Sequence, residues 1–286
     1  MIFSENKKLK MREKKTIDLT ETTFIIPIKI EHPDRYRNAK ISLEFLNYNF
    51  KTNVFIYEVA DDGLTKLDFI GDLNNLNIDH QVHMSEGIFH RTKYLNIMLD
   101  NVKTKVVANY DVDVILESIN YKECQDSILK GDAEVLYPYN YGTSQFRVKE
   151  GFDYKGFWDS NLSTVFIRKS PDIDLYYSEC GHCIFFNTDV YKKYGGENEN
   201  FISYGPEDRE RMERFKKLGS KVKWKPYDFV YHFEHYRGND SEKTNPEYSG
   251  NVDLFNKLLN KTSPELAEYY RSQEYTKKYK TIGILN

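Results

Sequence analysis

Cysteine is scarce. The chain has three in 286 residues, Cys124, Cys180 and Cys183, which is too few for a disulfide framework and an odd number besides. Cys180 and Cys183 make a C-x-x-C, but no second such pair completes a zinc site, so the expectation is reduced thiols in a cytosolic protein. Long apolar runs are missing too: nothing reaches the ~18 residues that span a bilayer. Residues 1–15 are polar and lysine-rich without the apolar stretch of a secretory signal, which points to a cytoplasmic location. Positive charge is not in excess either. Lys and Arg number 41 against 44 Asp and Glu, a net charge of -3, so no nucleic-acid partner is expected.

Aromatics, in contrast, are plentiful, with 23 Tyr and 18 Phe. A 40% hydrophobic and 30% charged composition suits a soluble globular protein, and a chain of this length buries a sizeable core. So many tyrosines imply semi-exposed aromatic surface; stacking on sugar rings is one use of it and ordinary packing the commoner one.

Along the chain, residues 1–20 read as a charged arm. Apolar runs predict strands at 23–28, 53–59, 105–110 and 133–137, with helices at 34–47, 92–99 and 121–130 between them. That alternation indicates an α/β layer around a largely parallel sheet, and such sheets bind ligands at the carboxyl ends of their strands. Residues 64–84 read as short strands or loop, and 140–178 as loops over the sheet face. A strand at 181–187, helices at 188–194 and 205–218, and short strands at 221–224 and 229–232 follow. Helices at 251–260 and 264–280 close the chain. The expected organisation is an arm (1–20), a catalytic domain (21–240) and a C-terminal helical extension (241–286).

Four short segments carry chemistry. Asp111-Val112-Asp113 ends an apolar run. On a strand, alternate positions would point both carboxylates to one side, where their repulsion favours a cation such as Mg²⁺ or Mn²⁺. Glu58 and Asp61 follow the second strand and fall on the same sheet edge. Gly205-Pro206-Glu207-Asp208 puts two acids at a helix start, where the dipole stabilises them and one could serve as a general base. His232-Phe233-Glu234-His235 spaces two imidazoles to meet one Mn²⁺ or Zn²⁺ ion if the backbone turns. Phe89-His90-Arg91 places an arginine at a helix start, suited either to a diphosphate or to a surface ion pair.

Taken in order, these residues resemble the metal-dependent GT-A glycosyltransferases, most closely the β-1,4-galactosyltransferase type and the family 2-like group. The pattern is Phe-x-Arg-x-x-x-Leu-Asn (Phe89, Arg91, Leu95, Asn96), then Asp-Val-Asp (Asp111 to Asp113). A glycine turn with a following Phe (Gly195, Gly196, Phe201) comes next, then Gly-x-Glu-Asp (Gly205, Glu207, Asp208) with a later arginine, Arg211 or Arg214, and finally a histidine three residues after another ligand (His232, His235). The resemblance spans about residues 23–240. It implies a GT-A fold with a mostly parallel central sheet flanked by helices. It further implies Mn²⁺ (or Mg²⁺) held by Asp113, His235 and His232, the last where the family has Met. Asp208 would be the catalytic base, with Glu207 on sugar hydroxyls. Pro27, Glu58, Arg91, Asp111, Gly196 and Tyr204 would bind the donor, Arg91 through the diphosphate, Asp111 through the ribose or a metal-bound water, and Tyr204 as a sugar platform where the family has Trp. Pro206 stands where the family has Gly, and Arg209 where it has a third acid, which bears on the acceptor.

The implied activity is transfer of a hexose or N-acetylhexosamine from a UDP-sugar to a saccharide, glycoconjugate or lipid-linked saccharide hydroxyl, with inversion. A retaining transferase on the same fold and a non-catalytic carbohydrate- or nucleotide-sugar-binding protein are the alternatives. Tyr269, Tyr270, Tyr275 and Tyr279 among Lys277, Lys278 and Lys280 would suit peripheral contact with an anionic membrane face, or else a helix packed on the domain.

Overall fold

The computed structural model describes residues 16–238 and 242–282. β1 (Ile17–Lys29) runs through the middle of the molecule, and Phe24, Ile25 and Ile26 in it are wholly buried. So continuous an apolar run fits a strand covered on both faces. His32 caps α1 (Pro33–Asn49) by accepting from the Asp34 N–H, and Pro33 at the first turn suits the helix start. β2 (Phe50–Ala60) returns beside β1, and β3 (Leu76–Met84) adds an edge strand. After α2 (Arg91–Asn101), β4 (Val106–Tyr110) lies on the other side of β1. These four strands are mutually parallel.

The chain then turns into β5 (Val114–Leu116), α3 (Ser118–Leu129) and β6 (Val135–Tyr137). β7 (Gly142–Val148), the short helices α4 (Tyr154–Asp159) and α5 (Thr164–Arg168), and β8 (Ile173–Ser178) come next. β9 (Cys183–Asn187) leads to α6 (Thr188–Lys193) and α7 (Glu207–Lys217), followed by β10 (Val222–Trp224) and β11 (Val230–Phe233). α8 (Tyr248–Leu259) and α9 (Ser263–Ser272) come last of the helices named here.

The strands make a seven-stranded sheet, β10-β6-β9-β4-β1-β2-β3, and a four-stranded sheet, β5-β11-β7-β8. In the large sheet only β9 runs against its neighbours. Phe24 and Phe185 meet Tyr121 of α3 at ring separations of 6.1 Å, which anchors that helix on the large sheet. In the small sheet Phe146 stacks on Tyr231 at 5.7 Å.

Three readings of the sequence are corrected. Residues 140–178 are not loops over the sheet: they hold β7 and β8, half of the second sheet. Residues 64–84 contain the nine-residue β3, mostly exposed beyond Leu76 and so without an apolar signature. Residues 17–20 belong to β1 rather than to an arm; the lysine-rich stretch 1–15 lies outside the described residues. The C-terminal tyrosines face inward: Tyr270 is fully buried with its hydroxyl donating to Glu210, and the Tyr279 hydroxyl donates to Asp100. Among the described residues no helix is long and apolar enough to cross a membrane.

Candidate active site

A cleft of about 380 Å³ opens at the carboxyl ends of β1 and β4, against the mouth of the small sheet. β4 ends at Tyr110, and residues 111–113 form a turn into β5. The two aspartates therefore do not share a strand face, as alternation had suggested. The turn is held from below by the Ser42 hydroxyl, 2.8 Å from the Val112 carbonyl, and from the side by the Asp111 N–H, which donates to the His182 carbonyl at 2.8 Å. It sends the two carboxylates to different partners. Asp111 accepts from Arg91 at 2.7 Å, while Asp113 Oδ2 lies 3.0 Å from His235 Nε2 and 3.7 Å from His232 Nε2.

Ligand atoms of Asp113, His232 and His235 all lie within 4.8 Å of one another. His232 sits on β11, opposite Val114 of β5, so sheet pairing brings it beside the turn. His235 Nδ1 meets the Tyr236 carbonyl at 2.7 Å. A carbonyl only accepts, so Nδ1 carries a proton, and whenever the ring is neutral its Nε2 lone pair faces Asp113. Two facing lone pairs require a proton or a cation. Burial would lower His235, but its bond with Asp113 outweighs that and raises it. Burial takes His232 down to about 4, which keeps its nitrogens available at neutral pH. Its Nδ1 is buried with no hydrogen-bond partner. Burial opposes ionisation of Asp113, yet the two histidines hold it well below the usual carboxylate range. Two neutral imidazoles and one carboxylate fit a divalent cation, and a set with two nitrogens suits Mn²⁺ or Zn²⁺ better than Mg²⁺.

Glu207 and Asp208 open α7 on the opposite wall. Asp208 Oδ1 accepts from Arg211 at 2.5 Å and from Arg91 at 3.4 Å. Arg91 thus joins the Asp111 turn to the start of α7. Arg211, 1% exposed, is itself paired with Glu197 at 2.6 Å, and Glu197 also accepts from the Tyr191 hydroxyl. Burial would raise Asp208, but Arg211 and Arg91 bring it down to about 2. Beside it, burial and the Asp208 charge push Glu207 up to about 8, and its Oε2 has no partner. Adjacent carboxyls with such different environments separate into an ionised and a protonated one at neutral pH.

The loop before α7 is set by α8 and by Asn245 just ahead of it. Asn251 of α8 donates to the Ile202 and Tyr204 carbonyls at 2.7 and 2.9 Å, and accepts from the Ile202 N–H at 3.3 Å. Ser203 has φ +59, a left-handed conformation that costs a non-glycine residue energy; Asn245 donates to its hydroxyl at 2.7 Å. Tyr248 stacks on Tyr204 at 5.7 Å.

Of the expected residues, Pro27, Arg91, Asp111, Asp113, Tyr204, Glu207, Asp208, His232 and His235 all line this cleft. Two expected donor-binding residues lie elsewhere. Glu58, fully buried, accepts from the Thr65 hydroxyl and the Lys66 N–H, each at 2.7 Å, and meets His80 at 2.9 Å; it ties the loop after β2 to β3. Gly196, at φ +64, gives its carbonyl to Arg214 and packs so tightly on Asn96 that a Cβ would stand 2.4 Å from Asn96 Oδ1. Its role is a close turn. Sequence reading missed Cys180, Gly181 and His182 on the cleft wall, and His182 has φ +61. The Gly-His pair at a strand start was the available signal.

No family model matches the chain, and no curated protein matches it. Solved structures do. TarS 1–349 from S. aureus, in complex with UDP-GlcNAc, superposes with a TM-score of 0.54 at 14% identity, over 87% of this chain and 71% of that one. The mannosyltransferase PcManGT from Pyrobaculum calidifontis, in complex with GDP-Man and Mn²⁺, gives 0.51 at 14% identity, over 90% and 69%. This chain has the GT-A fold. At such identities the likeness speaks for architecture, and the expected class stands: a mostly parallel central sheet with flanking helices. The roles of individual residues in this GT-A cleft rest on the distances above.

Proposed function

We propose that this protein is a metal-dependent glycosyltransferase that moves a hexose or N-acetylhexosamine from a UDP-sugar to a hydroxyl of a saccharide, glycoconjugate or lipid-linked saccharide. One observation carries the reading. A nitrogen-oxygen cation set, Asp113, His232 and His235, shares a single cleft with an ionised carboxylate, Asp208, on the GT-A fold. TarS was solved with UDP-GlcNAc and PcManGT with GDP-Man and Mn²⁺, which supports a nucleotide-diphosphate sugar as donor and Mn²⁺ as the ion.

A bound divalent cation would offset charge on the departing diphosphate. The chain's own groups do the rest. Tyr204 offers a ring face to a sugar, and protonated Glu207 offers a hydrogen bond to a hydroxyl. Arg91 and Arg211 both engage Oδ1 of Asp208, so Oδ2 takes the proton of the acceptor hydroxyl. That oxygen bonds to the anomeric carbon as the bond to the diphosphate breaks, and UDP leaves. With a single displacement the anomeric configuration inverts. A carboxylate held near pKa 2 is a weak base, which suits proton acceptance concurrent with bond formation.

The test is UDP release from UDP-galactose, UDP-glucose, UDP-N-acetylglucosamine and UDP-N-acetylgalactosamine with Mn²⁺ and a saccharide panel, followed by NMR of the product's anomeric proton. Mn²⁺-independent binding without turnover of any donor would leave a nucleotide-sugar-binding protein instead. Retention would reassign Asp208.

A further inference from the structure

Two large tyrosine rings project from the small-sheet side of the molecule, just before β7 and on β8, with 45% of Tyr141 and 58% of Tyr177 exposed. Both hydroxyls donate to the same carboxylate oxygen, Oε1 of Glu179, at 3.1 and 3.0 Å. The rings meet edge to face at 6.2 Å. Behind them Trp224 lies edge-on to Tyr141 at 5.4 Å, stacks on the buried Tyr137 at 4.8 Å, and donates from its indole to the Glu179 carbonyl at 2.8 Å. The rings are therefore held in place while both stay substantially exposed. β8, which carries Tyr177, is an edge strand. Edges are ordinarily protected by charge or proline, and exposed immobilised aromatics protect nothing there.

The position is continuous with the reacting centre. Glu179 precedes Cys180 and Gly181, which line the cleft, and Gly181 abuts Asp208. Arg209, directly after Asp208, reaches Glu179 at 3.7 Å. Glu179 and Arg209 thus link the two tyrosines to the wall on which Asp208 stands. Rigid tyrosines match a pyranose: their faces meet its C–H surface, and the carboxylate accepts from its hydroxyls, with little ordering entropy left to lose.

Building on the transferase reading above, we propose that Tyr141, Tyr177 and Glu179 form a shelf for the second pyranose ring of a saccharide acceptor. The protein then favours acceptors of two or more sugars.

The test compares methyl pyranosides with the matching disaccharides as acceptors, in the wild type, Y141A/Y177A and Y141F/Y177F, alongside UDP affinity with Mn²⁺. The wild type should show a KM for disaccharide about tenfold below that for the monosaccharide. Y141A/Y177A should lose that difference while UDP affinity and monosaccharide kcat stay the same, and the Phe pair, which keeps the rings, should retain it. A wild type without length preference, or an Ala pair that keeps it, overturns the shelf. Absent UDP binding in the wild type would sink the transferase reading instead. In that event, saturation-transfer NMR with cellotriose, maltotriose and chitotriose decides the shelf by itself: a transfer signal seen in the wild type and abolished in Y141A/Y177A supports it, and an equal signal or none in both proteins refutes it.

Discussion

Oδ2 of Asp208 lies 2.9 Å from the point where a Cβ on Gly181 would stand. Oδ1 is taken by two guanidiniums, and the other oxygen faces Gly181, which has no side chain to crowd it. Gly181 also has φ +92, where a side chain is strained. Gly181→Ala should cut transfer by about 10²-fold or more, as expected for loss of a proton acceptor, while UDP affinity measured by calorimetry changes little. Equal losses in both would mean the whole cleft had moved.

Asp208→Asn keeps the shape and removes the charge. Turnover should fall roughly 10²–10⁴-fold with the donor KM within about a factor of two. Near wild-type turnover would remove Asp208 from the base role. The wild-type acid limb should lie far down, since a group held near 2 loses its charge only as the pH approaches that value.

Chelation should silence turnover and Mn²⁺ should restore it. His235→Ala deletes one donor of a three-donor set, and Asp113→Asn strips the charge from another. Each should weaken Mn²⁺ binding, read by calorimetry with UDP present, by at least the roughly 10–100-fold seen when merely supporting groups are lost. Unchanged Mn²⁺ affinity in both would place the ion elsewhere.

Glu207 makes stability depend on pH in the direction opposite to most acids. Its folded pKa, near 8, lies above the unfolded value of about 4.3. The folded state therefore binds the proton more tightly, and stability is full below about pH 4.3, declines through the interval, and levels off above about 8. Glu207→Gln removes the term. Its Tm should exceed the wild type's by about 5 °C at pH 8 and match it at pH 4. The same difference at both pH values would show that the effect is not ionisation.

The chemistry-bearing residues were legible because they cluster at strand ends and a helix start, where an α/β sheet collects its ligands. Asp113, His232 and His235 are short motifs, and pairing of β11 with β5 brings them together. Glu58 sat on the right edge by topology, yet its partners Thr65, Lys66 and His80 come from a loop and strand with no apolar pattern. β7 escaped notice because Gly142, Thr143, Ser144 and Gln145 are polar and the register with β8 shifts between Thr143 and Gln145, which breaks the alternation. Nothing local to Asn251 announces its grip on Ile202 and Tyr204, since a helical asparagine looks the same whether it faces solvent or a backbone.

That grip has a consequence for biosynthesis. α8 leaves the ribosome after the loop and helix it secures, so a nascent chain that has already emerged past Asp208 still lacks the residues that hold Tyr204 in position. The finished cleft arrives late, with α8. A partly made polypeptide thus carries this cleft with one wall unfinished.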